Sequence, residues 1–212
     1  YGYRNEILTS DDPREELLEV IERAIPRKVS EQLDHETPDT LELIGWLNTY
    51  FPLHLTKEDE MFQGKVNSEA VSTELVKRIK EAYEVKAQHE MPEMLDHLER
   101  TIALAAIDRL WQEHLYNMDA LREGVSLRAQ GQKDPLVEYK NDAYQMFAKL
   151  MDSIDDEILH GLFRSATSAQ AFEDFLRALP QVKSGGSETP AQKPTKNSKK
   201  IALPRRNPPI DI

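Results

Sequence analysis

Apolar residues in this chain recur every three or four positions and almost never alternate with polar ones, so the elements it encodes are helices. The first signal is Asp12-Pro13-Arg14-Glu15: Asp12 can cap, Pro13 suits the first helical position, and Glu15 stands where a capping box wants it. Behind it Leu17, Leu18, Ile21 and Ile25 make one apolar face, and Pro26 is expected to kink or stop the helix. Thr37-Pro38 opens a second helix that buries Leu41, Ile44 and Leu47, with Trp46 beside them, until Pro52 ends it. A short helix starts near Thr56. Asn67 or Ser68 then caps a long one carrying Val71, Leu75, Ile79 and Tyr83 at helical spacing, and Pro92 marks a break or restart.

From Glu93 to Leu127 the helical pattern is uninterrupted, with Leu104, Ile107, Trp111, Met118, Leu121 and Val125 in one stripe on a helix of about 50 Å. After a loop containing Gly131, Asp134 caps a helix that Pro135 opens. Its stripe of Leu136, Tyr139, Ala143, Phe147, Leu150, Ile154, Ile158 and Leu162 runs for about 45 Å. Two helices of matching length joined by a short turn should fold back as an antiparallel hairpin, with Leu104, Ile107, Trp111, Met118, Phe147 and Ile154 in its seam. Residues 165–179 add a short helix through Phe172, Phe175, Leu176 and Leu179. The expected fold is all-α: a compact helical domain over residues 11–91, the hairpin over 92–165, a short helix over 166–180, and a basic tail over 181–212. That tail, rich in Ser, Gly, Pro and Lys, buries too little apolar surface to offset its chain entropy and is expected to be disordered.

Charge sharpens this division. Of the formal −11 over 212 residues, the tail's seven bases and two acids contribute +5, leaving −16 on the first 180 residues. A body that acidic repels nucleic acid, whereas the tail is drawn to anionic surfaces. The longest apolar run, Ile102 to Ile107, is too short to cross a bilayer, and no secretory signal precedes Ser10. With no cysteine, disulfides and thiolate metal sites are excluded. The chain opens on Tyr1 rather than Met, as expected of a stretch that starts inside a longer protein.

Candidate chemistry is sparse. Gly64-Lys65 resembles the end of a phosphate-binding loop, but Asp59 stands five residues earlier in place of glycine, and Val66 replaces the Ser or Thr that holds Mg²⁺. His89-Glu90 starts a zinc-helix pattern in which Glu93 replaces the second His and Pro92 interrupts the helix. Glu93 and His97 share a helix face but read as a solvated polar pair, and His114 reads as packed beside the stripe rather than as a base. No nucleophile-base-orienter set is present, so no catalytic residue is assigned. Trp111 reads either as a ligand-stacking ring or as a large knob in the seam. The polar turn Arg128, Ala129, Gln130, Gly131, Gln132 and Lys133 reads either as a binding loop on a rigid support or as a solvated turn.

The hairpin segment Ile107 to Phe147 closely resembles the two-helix finger of the SecA family of preprotein translocase motors. Trp111, His114, Met118, Asp119, Leu121, Arg122, Gly124, Leu127, Arg128, Gln132, Lys133, Asp134, Pro135, Glu138 and Tyr139 match the family's pattern in place. Tyr1 to Leu8 resembles the end of that family's scaffold helix, and residues 11–91 its helical wing. The resemblance implies a cytoplasmic protein held peripherally at the membrane, working with the SecYEG channel, secretory preproteins and the motor domains of the same protein. It implies that ATP and Mg²⁺ are bound by motor domains absent here, with no cofactor in this chain, and that residues 128–133 form the fingertip. The basic tail could add contact with anionic lipid. Gln130 stands where the family commonly has an aromatic residue, and the chain lacks the cysteine-rich zinc module through which many members bind SecB and lipid. A free-standing helical adaptor that binds a partner through its hairpin is the alternative reading. A bundle metalloenzyme lacks the inward-facing carboxylate and histidine sets it would need.

Overall fold

The computed structural model describes residues 2–35, 38–64, 66–128 and 134–179, the backbone alone for 125–128. All of them belong to one compact unit. Among the described residues there are seven α-helices, one 3₁₀ turn and no strand. The helices are α1 (Gly2–Thr9), α2 (Pro13–Leu33), α3 (Thr40–Tyr50), α4 (Ser68–His89), α5 (Pro92–Arg128), α6 (Pro135–Leu162) and α7 (Ala169–Ala178). Local chemistry sets their starts. Asp12 accepts from the backbone of Arg14 and Glu15 with Pro13 at the first position, Asn67 accepts from Glu69 and Ala70, and Ser168 accepts from Ala171.

Three expectations are corrected. Of the two outcomes expected at Pro26, the stop does not occur; the helix runs on to Leu33. A mid-helix proline costs about 3 kcal/mol, because it removes one hydrogen bond and crowds the preceding turn. Here Val20, Ile21, Ala24, Ile25, Val29 and Leu33 are all buried around it, and that packing holds the helix together. The helix expected to open at Thr37-Pro38 starts instead at Thr40, because the Asp39 carboxylate accepts from Glu42 N at 2.9 Å. Leu41, in its first turn, is 57% exposed, and Leu43, Ile44 and Leu47 form the buried face. Near Thr56 there is a turn closed by Asp59, then a single 3₁₀ turn, Glu60–Phe62, that seats Phe62 in the core. Gly64 ends this segment at a φ of +69°, a conformation that glycine adopts without steric cost.

Helix α2 is the centre of the unit, packing on α3, α4, α5 and α6, while α7 packs on α4. An aromatic cluster closes one end: Phe163 meets Phe51 and Tyr83 edge-on at 5.7 and 5.9 Å and lies tilted against Phe175 at 6.2 Å. Edge-to-face contacts of this kind align positive ring edges with negative faces, adding to the burial itself. The expected tail, residues 181–212, lies outside the described residues.

Candidate partner-binding finger

Helices α5 and α6 form the expected hairpin. Their 37 and 28 residues make rods of about 55 and 42 Å, so they are not the matched pair that periodicity suggested. The additional turns of α5 lie at its start. Small residues set how closely the two rods approach. Ala103 and Ala106 of α5 are buried, and a methyl group added at Gly161 of α6 would fall 2.7 Å from Cγ2 of Ile102. Ile102 is β-branched and stiff about its first side-chain torsion, so only glycine fits that crossing.

The foot of α5 is held by polar bonds to three other helices. Arg100 donates to the carbonyls of Ile7 at 2.7 Å, Leu8 at 3.3 Å and Ser10, closing the open end of α1. Glu99, completely buried, accepts from the Tyr83 hydroxyl of α4 at 2.6 Å and from Arg14 Nε of α2 at 3.3 Å. Burial pushes the Glu99 carboxyl above its usual range, and the Tyr83 and Arg14 bonds only partly offset it. The Tyr83 hydroxyl is raised as well, first by burial and then by the neighbouring Glu99. Arg4 of α1 grips Asp108 with two bonds, at 2.7 and 3.1 Å, and holds that carboxyl below its ordinary value.

Beside this foot, Lys86 and Glu90 form a buried ion pair at 2.7 Å. The second oxygen of Glu90 accepts from the Thr167 backbone N–H at 2.8 Å and hydroxyl at 2.6 Å. Burial alone would raise the Glu90 carboxyl, but Lys86 and Thr167 together keep it below the ordinary range. Glu90 of the supposed zinc pattern is thus occupied in joining α4 to the segment before α7, and Glu93 and His97 lie exposed on α5.

Further along, the seam loses its cover. Ile107, Leu150, Ile154, Ile158 and Leu162 are buried, Leu104 and Trp111 pack partly buried on the core, and Met118 is half-buried. Phe147 is 46% exposed, with its ring 6.2 Å from that of His114, which in turn lies 5.5 Å from Trp111. His114 is therefore packed between two seam aromatics. Trp111 and Phe147 also wall a partly open, mainly apolar cavity of about 250 Å³, together with Tyr3, Ile107, Leu150 and Ile154. On the shaft beyond this level Leu115, Tyr116, Leu136, Val137 and Tyr144 are exposed. Arg128 closes α5, and Asp134 caps α6 by accepting from Leu136 N at 2.9 Å. The tip residues Ala129, Gln130, Gly131, Gln132 and Lys133 lie outside the described residues, as do Lys65 and the side chain of Arg128.

The sequence model of the SecA Wing and Scaffold domain matches residues 1–166, more than three quarters of the chain. The chain belongs to this SecA family. It is 32% identical over 193 residues to the protein translocase subunit SecA of Clavibacter sepedonicus, covering 88% of this chain and 20% of that protein. The SecA subunit of Thermodesulfovibrio yellowstonii is 30% identical over 209 residues, covering 99% and 22%. That of Halothermothrix orenii is 37% identical over 168 residues, covering 77% and 20%. The chain thus spans about a fifth of the length of these curated relatives. The match to the Wing and Scaffold sequence model ends before α7, so the Thr167 bonds that seat α7 lie just past its edge.

Sequence reasoning missed Arg14, Lys86, Glu99 and Thr167. Nothing in a pattern of charged residues distinguishes one that will be buried against another helix from one on a solvated face. Lys86 and Glu90 in particular have the spacing of an ordinary surface helix pair.

Proposed function

We propose that this chain is the wing and finger portion of a SecA preprotein translocase motor, with α2 to α4 as the wing and α5–α6 as the finger. In this reading ATP and Mg²⁺ are bound by motor domains outside the chain. The chain itself contributes no catalytic residue and couples hydrolysis to movement of secretory preproteins through the SecYEG channel, at the cytoplasmic face of the membrane. What carries this reading is the hairpin. Its foot is tied by a buried polar bond to α4 and partly buried ones to α1 and α2, its shaft carries uncovered Tyr116 and Tyr144, and its polar turn follows Arg128. A stiff rod with an anchored base suits the delivery of contacts to a partner better than a site for chemistry. No helix among the described residues is long and apolar enough to cross a membrane.

Crosslinking tests the reading directly. The chain has no native cysteine, so one placed at Gln130 in the full-length motor can be compared with one at Glu157, which pairs with Arg109 at 2.8 Å near the foot of the hairpin. With a stalled preprotein in the assembled translocase, Gln130 is expected to crosslink to channel or substrate far more than Glu157. Equal yields would reduce residues 128–133 to a turn.

The basic tail is proposed to add a weak attraction to anionic lipid, about 1 kcal/mol per basic residue near the surface before screening. The full chain should sediment with anionic but not neutral vesicles, and less so as salt is raised. Equal sedimentation with both would remove lipid from the list of partners.

A further inference from the structure

Beside the shared apolar core, a ladder of charge joins α2 to α6. Helix α2 presents Arg23, Arg27 and Lys28 within little more than one turn, and α6 presents Asp152, Asp155 and Asp156 within one turn. Arg23 grips Asp155 through two bonds, Nε to Oδ2 at 2.9 Å and Nη2 to Oδ1 at 2.7 Å. Arg27 pairs with Asp156 at 2.8 Å and with Asp152, and donates to the Asp152 carbonyl at 3.3 Å. Lys28 reaches Asp156 at 3.4 Å.

Two features distinguish this ladder from surface pairing. Asp155 is only 3% exposed and lies between buried Ile154 and buried Ile158 in sequence, so its carboxylate has been taken out of water. That placement is tolerable because Arg23 supplies a planar two-donor fork that matches the carboxylate. Second, the ladder lies at the level of Leu150 to Ile158, immediately below the point where the seam loses its cover at Trp111 and Phe147. It therefore sits at the fulcrum of the uncovered shaft.

We propose that this ladder is a latch that sets the angle between wing and finger, so that α2 and the shaft of α5–α6 travel as one body while it is closed and swing independently when it opens. The chemistry suits a reversible joint. Half of the Arg23 side chain is exposed, so water can replace Asp155 as its partner when the helices part, whereas an apolar seam has no such substitute. The outer pairs of Arg27 and Lys28 with Asp152 and Asp156 are partly exposed, so salt weakens them, while the buried end at Asp155 is screened much less. The use of the latch in translocation rests on the function proposed above; its existence does not.

The test uses spin labels on cysteines replacing Glu42 of α3 and Tyr144 of α6, both exposed, in the full 212-residue chain. Pulsed dipolar spectroscopy then reads the distribution of wing-to-shaft distances. Arg23→Ala combined with Arg27→Ala is expected to widen that distribution about twofold while helix content stays unchanged, as for two elements whose coupling has been removed. Arg109→Ala, which breaks a pair inside the hairpin, should leave the width as it is. Should the double variant fail to fold, Asp152→Asn with Asp156→Asn removes the outer charges at constant shape and is expected to widen the distribution to a smaller degree. An unchanged width in the folded variants overturns the latch. In the full-length motor the same changes should lower the preprotein moved per ATP hydrolysed severalfold. A wider distribution with an unchanged yield per ATP would uphold the latch and count against the proposed function of the finger.

Discussion

Deleting Gln130 to Gln132 from a full-length motor that carries this chain is expected to abolish preprotein translocation while leaving nucleotide binding intact. Helix α5 closes at Arg128 and α6 opens at Pro135, so the deletion leaves Ala129, Lys133 and the capping Asp134 to span the gap. Two antiparallel helices can be joined by a loop of about two to five residues, so the shortened link still permits the hairpin. The ties at its foot, from Arg100 to the end of α1 and from Glu99 to Tyr83 and Arg14, lie near the other end of α5 and should be unaffected. What disappears is the polar tip at the far end of the rod. Gln130→Tyr, by contrast, should be tolerated, because it adds a large apolar face without changing the length of the turn. Vesicle import of a secretory preprotein, measured beside nucleotide affinity, separates these outcomes. Import that survived the deletion would sink the fingertip reading.

Replacing Lys86 with methionine is expected to destabilise the fold by about 3–5 kcal/mol, the usual cost of removing one partner of a buried ion pair. Lys86 is 1% exposed and Glu90 5%, so neither charge can fall back on water once the other is gone. Glu90 would keep its two bonds from Thr167, but a carboxylate in so dry a place needs the ammonium 2.7 Å away. Urea unfolding should show the loss as a lower midpoint with little change in slope. Adding Glu90→Gln should recover most of it, since the amide oxygen still accepts from Thr167 and no charge remains to be compensated. A cost for Lys86→Met near that of a surface pair, about 0–1 kcal/mol, would show that the bond matters little.

The same site predicts a pH dependence. In the native chain Glu90 is held below its unfolded value, so its contribution is present above the unfolded carboxylate range and is lost as pH falls through the folded value. In Lys86→Met burial is opposed only by the two Thr167 bonds and should raise Glu90 from its native position, so the penalty is largest at neutral pH and shrinks as acid protonates the carboxyl. Unfolding curves at neutral and mildly acidic pH should therefore converge for the two proteins. Parallel curves would mean that Glu90 does not titrate in this way.

Much of the architecture was legible in the chain itself because the signals are local. A carboxylate before a proline, as at Asp12-Pro13 and Asp134-Pro135, satisfies the free N–H groups of a first helical turn whatever else is nearby. The stripe Val71, Leu75, Ile79 and Tyr83 emerged as the buried face of α4 because a single apolar side leaves only one way to pack. Pro26 and Leu41 show where locality ends. The strain of one was outweighed by six buried neighbours from distant packing, and the other turned outward once Asp39 had set the start of α3.

By itself, then, the sequence determined most of the helices, the caps at Asp12 and Asp134, the hairpin and the kinship with SecA, all of which rest on spacing within single stretches of chain. Only the tertiary structure decided which charges would be buried. Arg23 meets Asp155 across 132 positions, Arg100 meets Ile7 across 93, and Glu90 meets Thr167 across 77. The worth of a charge depends on the dielectric and the partners around it, and both are set when distant segments come together.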